Sequence, residues 1–265
     1  MRCAGLRDPT RPGSMEVVDR TIARLGALAA ALDVAKLRAA ALDAIAVLAP
    51  TDCSGCGAPD RALCSSCVAA LRADVLAVDV VPAATLPVPS LLQVHCALRY
   101  AGVARRVLLA VKELGRTDAA PALSHAAGSA LAAALAAIPE RSIRDSTRAG
   151  VQIATIPSTR AAYRTRGYHP TELILAHAGI RASHPLRAAR QTADQAGLGM
   201  AERSTNRAGS LIVRRKLRGE QFILFDDIVT TGATLLEARR AIHAAGGRVV
   251  GAAAIANTVL LKAPR

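Results

Sequence analysis

The sequence predicts an α/β fold in which a parallel sheet is flanked by helices and preceded by a small four-cysteine module. Three observations carry this. Short apolar runs at residues 151–156, 222–225 and 249–255 alternate with segments of helical period, the pattern of strand–helix–strand units. The run at 222–225 ends on two adjacent acidic residues and a Thr/Gly-rich turn, where open α/β sheets place their ligands. Four cysteines fall as two C-x2-C pairs in a stretch too short to build a core.

Composition agrees. Of 265 residues, 52% are hydrophobic and 20% charged, which excludes a disordered chain and supplies material for one ordinary domain with a smaller appendage. The net charge is +14, and 30 of the 34 basic side chains are arginine. More than half of that excess, +8, lies in residues 151–221, immediately before the acidic pair. Charge concentrated there argues for an anionic ligand; a solvated arginine-rich surface is the alternative. With no Trp, three Tyr and two Phe, base stacking is not the principal activity.

Taken in order, residues 1–50 read as a basic leader and an Ala-rich helix, with Met15 an equally good start. The longest uncharged run there, 25–32, is far short of the ~20 residues a span needs, and no signal cleavage site follows it. No membrane insertion is expected, and the reading is cytoplasmic. Cys53, Cys56, Cys64 and Cys67 come next. Each C-x2-C curls the backbone into a knuckle presenting two thiolates, and two knuckles complete a tetrahedral sulfur site for Zn2+. Four cysteines close the shell, so the metal is structural; a disulfide pair or free thiols are the alternatives. Cys3 and Cys96 read as a tail thiol and a buried strand residue.

Period-two patterning predicts a strand over 94–100, and helical period predicts helices over 103–114, stopped by Gly115, and 122–138. A polar loop over 141–150 leads to the strand 151–156. Residues 157–169 read as an Arg-studded loop, followed by a helix over 171–179 with Pro170 near its first position. Residues 190–207, with Gly197 and Gly199, suit a lid that excludes water, or an ordinary surface loop. An edge strand at 211–213, the buried strand 222–225, a helix over 235–245 and a strand at 249–255 complete the chain.

The chemistry concentrates at 222–235. Asp226 and Asp227 at a strand end can accept hydrogen bonds from a vicinal diol. Thr230, Thr231, Gly232, Ala233 and Thr234 supply hydroxyls, a permissive glycine and amides entering a helix N-terminus, which make a phosphate cradle. Diol acceptors and a phosphate cradle a few residues apart describe a ribose 5-phosphate binder. Ser158, Thr159, Arg160, Arg164 and Arg166 suit a pyrophosphate, because the guanidinium fork pairs bidentately with phosphate oxygens and stays charged. Neither a G-x-G-x-x-G nor a G-x4-G-K-[ST] motif occurs, which argues against the usual dinucleotide and nucleoside triphosphate sites.

On residues 223–234 the sequence resembles the type I phosphoribosyltransferase family. That resemblance implies 5-phosphoribosyl 1-diphosphate as ligand, with Mg2+ bridging its pyrophosphate and ribose hydroxyls. It also implies that Asp226 and Asp227 hold the 2- and 3-hydroxyls, that residues 230–234 hold the 5-phosphate, and that Arg160, Arg164 and Arg166 face the departing pyrophosphate. More narrowly, the chain resembles the ComF family of competence proteins. The shared features are the four-cysteine knuckle, Tyr100 with Lys112 in the next helix, the Pro-Arg-Gly-aromatic loop, and Arg190, Thr192, Gln195, Arg203 and Asn206. It departs at His169 and Pro170, where that family places Asn-Gln. The expected organisation is a leader and helix over 1–50, a zinc knuckle over 51–75 and a phosphoribosyltransferase-like domain over 85–265. Whether the phosphoribosyl group is transferred, and to which nucleophile, stays open. The alternative is a non-catalytic accessory protein for single-stranded DNA uptake or processing in natural transformation, with single-stranded DNA or competence proteins as partners; homo-oligomers stay open too.

Overall fold

The computed structural model describes residues 51–59, 61–80, 91–139, 150–189 and 209–258. The chain divides into two compact units, residues 1–52 with 59–61, and residues 53–58 with 62–265. In the first, the Arg61 amide donates to the Thr51 carbonyl at 3.1 Å. The expected leader and Ala-rich helix, Cys3 and the lid segment lie outside the described residues.

In chain order the second unit contains α1 (Ser65–Ala70), β1 (Leu76–Val80), β2 (Leu92–Arg99), α2 (Gly102–Glu113), a 3₁₀ turn (Thr117–Ala119), α3 (Ala120–Ala136), β3 (Val151–Thr155), α4 (Arg160–Arg166), α5 (Pro170–His177), β4 (Leu186–Ala188), β5 (Leu211–Val213), β6 (Gln221–Val229), α6 (Ala233–Ala244) and β7 (Arg248–Asn257). The main sheet has the order β1-β2-β7-β6-β3. Its four strands from β2 to β3 run parallel, and β1 lies antiparallel at the edge. The predicted α/β class with helices on both faces is therefore observed.

Both faces of the sheet are buried, which explains the near-continuous apolar run in β6. Ile223 and Phe225 point to a core shared with α2, α3 and α5. Phe222 and Leu224 point to the opposite core, under Leu235, Ala238 and Ile242 of α6. On the first face, the alanines of α3 sit over the alanine-rich β7, where small side chains permit close layers. The segment Thr117–Ala136 is long and apolar enough to cross a membrane by length and composition. Seven residues of α3, from Ala120 to Ala134, are nonetheless buried in this core.

Four features differ from the sequence reading. The expected strand 222–225 extends to Val229, so the acidic pair lies within it. β7 stays paired with β6 as far as Val229, whereas β3 ends at Thr155, opposite Phe225. From Asp226 onward β6 therefore pairs, among the described strands, with β7 alone. The expected loop 157–169 contains a helix, α4. Thr159 caps its start by accepting from the Ala162 amide at 3.2 Å, and Gly167 ends it with φ +77°. β1 and β4 were not anticipated; β4 pairs with β5 in a separate two-stranded sheet. That hairpin is held to α6 because Glu237 accepts from the Leu211 amide (3.0 Å) while Arg240 donates to the Leu211 carbonyl (3.0 Å).

Candidate functional site

The acidic pair is built by the end of β6. Alternation along a strand sends Asp226 and Asp227 to opposite faces, and their roles divide accordingly. Asp227 is buried: one oxygen, Oδ2, lies 2.6 Å from Lys112 Nζ, and the other accepts from the Ile228 amide at 2.8 Å. Asp226 is half-buried, and its Oδ1 accepts from the Asp227 amide at 2.9 Å. Burial first, and then the charge of Asp227, push the Asp226 pKa up to about 8. Burial works against the charge on Lys112, but the Asp227 carboxylate outweighs it and holds that ammonium above its ordinary pKa. Asp226 therefore holds its proton more tightly than a solvent-exposed carboxyl group does.

Lys112 is the residue that sequence reasoning placed only within a family pattern. Its signal was present: it is one of four lysines in a chain with 30 arginines, in the last turn of an amphipathic helix.

The turn after β6 leads from the exposed Thr230 and Thr231 into Gly232, the N-cap of the twelve-residue α6. Among the described residues nothing accepts a hydrogen bond from the Thr231 or Gly232 amide. The Thr231 hydroxyl accepts from the Ala233 amide at a long 3.4 Å. Amides of this kind at the positive end of a helix are suited to an anion. Gly232 has φ +72°, and a Cβ there would collide with the Val80 side chain, so the backbone passes directly over β1. Ala233 and Thr234 are half-buried in the first turn of α6.

The arginine-rich segment is less uniform than its sequence suggests. Ser158 is half-buried, Thr159 is occupied as a helix cap, and Arg160 is the first residue of α4. Arg164 is exposed, with no hydrogen bond to another described residue. Arg166 is already engaged, donating to the Ala162 carbonyl (3.1 Å) and, through Nη1, to the Lys112 carbonyl (2.8 Å). The Tyr168 hydroxyl donates to the Val111 carbonyl. Tyr163 and His169 stack with ring centroids 4.6 Å apart, closing the segment on itself. Beside it, a pocket of about 190 Å³ at the carboxyl end of β3 is lined by Thr155, Pro157, His169, Glu172, His184 and Arg187. Thus Asp226, Asp227 and the Thr/Gly turn share β6 and its exit, while Arg164 faces solvent and Arg166 is spent on a structural contact.

The four cysteines form a second cluster. Their sulfurs lie within 4.8 Å of one another, and none is in a disulfide. Zn–S bonds of about 2.3 Å in a tetrahedral site place sulfurs about 3.8 Å apart, so the arrangement can hold a metal ion with small adjustments. The Gly55 and Cys64 amides donate to Cys53 Sγ at 3.4 and 3.3 Å, as expected for a knuckle whose sulfur carries negative charge. A hydrogen bond from Ser66 leads the effects that draw the Cys64 pKa down to about 6, whereas burial pushes Cys67 up to about 12. Cys67 must therefore lose a proton when a metal binds. A Cβ on Gly55 would meet Cys67 Cβ at 2.8 Å, which keeps that turn glycine. Cys96, buried in β2, takes no part.

No family model matches the chain. Sequence comparison finds proteins named orotate phosphoribosyltransferase from Campylobacter species. The protein from Campylobacter concisus is 55% identical over 40 residues, 15% of this chain and 20% of its own length. That from Campylobacter jejuni subsp. jejuni serotype O:23/36 is 47% identical over 53 residues, 18% and 26% of the two chains. That from Campylobacter lari is 52% identical over 40 residues, again 15% and 20%. The chain thus spans about a fifth to a quarter of the relatives it matches. Over that part, the likeness supports the type I phosphoribosyltransferase superfamily.

Proposed function

We propose that the chain binds 5-phosphoribosyl 1-diphosphate with Mg2+ and transfers its phosphoribosyl group to a nucleophile. The observation that carries this reading is the end of β6. Two carboxyl groups stand where the strand loses its β3 neighbour, and the Thr231 and Gly232 amides, which have no acceptor among the described residues, follow within five residues at the start of a twelve-residue helix. Sugar hydroxyls would bond to Asp226 and Asp227, and the 5-phosphate to the Thr230–Thr234 turn. Mg2+, held by substrate oxygens and water, would offset the charge of the departing pyrophosphate. Arg164, which has no hydrogen bond to another described residue, can meet that group, and Arg160 precedes it by one helical turn. The chain's part is positioning and charge stabilisation around a carbon that becomes cationic as the pyrophosphate leaves.

The ComF-like reading is supported by the four-cysteine cluster packed on the helix that carries Lys112, through the Arg106 Nε to Gly55 carbonyl hydrogen bond. In that reading the metal is zinc and its role is structural. Titration calorimetry with 5-phosphoribosyl 1-diphosphate and Mg2+ tests the ligand: binding is expected for the wild type and should be lost in Asp226→Asn/Asp227→Asn. Equal heats for both proteins would remove it. Binding without pyrophosphate release across a panel of amines and bases would favour a non-catalytic accessory role.

A further inference from the structure

We propose that Lys112 is a positioning residue of the sugar site, holding the Asp227 side chain in place through Oδ2, and that the Arg166–Tyr168 segment sets the position of Lys112. The inference rests on the assignment of Asp226 and Asp227 to the sugar.

The geometry points to it in three steps. First, α2 starts at the carboxyl end of β2, where the Tyr100 amide donates to the Asn257 carbonyl, and its last turn reaches Asp227 on β6. Twelve residues of helix extend about 18 Å, enough to cross the roughly 10 Å that separate strands two places apart. The helix therefore bridges the carboxyl edge of the sheet and delivers a cation to the acidic pair. Second, the carbonyls of Val111 and Lys112 are among the last four of α2, which have no partners within the helix. Tyr168 and Arg166 satisfy them, and a guanidinium at a helix C-terminus is also favourable for the helix dipole. Third, Arg166 closes α4, the segment read as facing pyrophosphate. A shift of α4 on binding the leaving group would move the end of α2 and with it the ammonium on Asp227.

Lys112 is half-exposed where it meets the buried Asp227, so the ion pair reaches the surface at the end of β6. The titratable and charged groups around Asp227 are Lys112 and Glu113 on α2, Asp226 on its own strand, and Arg166 with Tyr168 from the segment after α4. Loss of the ammonium leaves Asp227 beside Asp226 with no cation in contact. The Asp226 pKa, which burial and the charge of Asp227 raise and the Lys112 charge draws down, then rises further, and the capacity of Asp226 to accept from the sugar falls.

The test is calorimetric binding of 5-phosphoribosyl 1-diphosphate with Mg2+ as a function of pH, on wild type, Lys112→Met, Lys112→Arg, Arg166→Gln and Asp227→Asn. Lys112→Gln serves as the neutral variant if Lys112→Met does not fold. The neutral variants should bind roughly ten- to a hundredfold more weakly near neutral pH, the loss of one charge-assisted contact. The acidic limb of their profile should move to higher pH. Lys112→Arg should return that limb toward the wild-type position, and Arg166→Gln should reproduce part of the shift; a merely structural role would lower affinity without moving the limb. Wild-type affinity and an unmoved limb in the neutral variants, with Asp227→Asn binding poorly at every pH, would overturn the role of Lys112 alone. Wild-type binding by Asp227→Asn would overturn the sugar assignment itself.

Discussion

Replacement of Gly232 by alanine probes the turn on which the proposed anion site depends. Two costs are separable. An L-residue held at φ +72° pays about 1–2 kcal/mol for the left-handed region. The added methyl must also displace the Val80 side chain, which lies where the Cβ would be, and overpacking of that kind costs about 1–3 kcal/mol. The sum, about 2–5 kcal/mol, is a large part of the 5–15 kcal/mol typical of a domain. Because the chain has no Trp, urea unfolding is best followed by far-ultraviolet circular dichroism. Val80→Ala removes the obstacle but leaves the backbone strain. In that background Gly232→Ala should cost only the first part, an interaction energy of about 1–3 kcal/mol in a double-mutant cycle. Additivity of the two substitutions to within about 0.5 kcal/mol would show that β1 does not support the turn, and the reasoning would fail.

Cys64→Ser should abolish binding of one Zn2+ per chain, measured by atomic absorption after dialysis; a folded wild-type protein containing no metal would contradict the knuckle. Metal uptake by the wild type should release protons and tighten as pH rises, since Cys67 is protonated at neutral pH. Asp226 has its folded pKa raised above the unfolded value, so the folded state holds more protons between about pH 4 and about 8 and stability should fall as pH rises through that window. Asp226→Asn should flatten that fall in urea midpoints and be relatively stabilising at the alkaline end. Glu237→Ala removes the acceptor of the Leu211 amide and the partner of Arg240, and should lower stability by about 1–3 kcal/mol in the same unfolding assay.

The parts of the site that were legible in sequence are those made by neighbours in the chain. Asp226 to Thr234 is one continuous passage, and the cysteines lie within fifteen residues, so residue order alone implies proximity. Helix α4 was legible too, in the cap of Thr159 and the glycine at 167, but the density of arginines favoured a loop. β1 carried a signal in Val78 and Val80, alternating with the exposed Ala77 and Asp79. What no local pattern reveals is the ion pair of Lys112 with Asp227, because it depends on the direction in which α2 leaves β2. The engagement of Arg166 by a carbonyl of that same helix was hidden for the same reason. Nor does the buried run 222–225 announce that pairing with β7 continues to Val229 while β3 stops early. That follows from the unequal lengths of two strands far apart in sequence.

The Gly55 carbonyl receives Arg106 from the middle of α2, and Val103 lies against Gly55 at that helix's start. A chain cut just before β1 would keep every residue of the sheet yet leave a guanidinium without its acceptor and an apolar flank newly wetted. The cysteine module is thus a buttress and poorly suited to transplantation: grafted onto another sheet it would bring its four sulfurs but find no matching beam, and the sheet it left would have lost one.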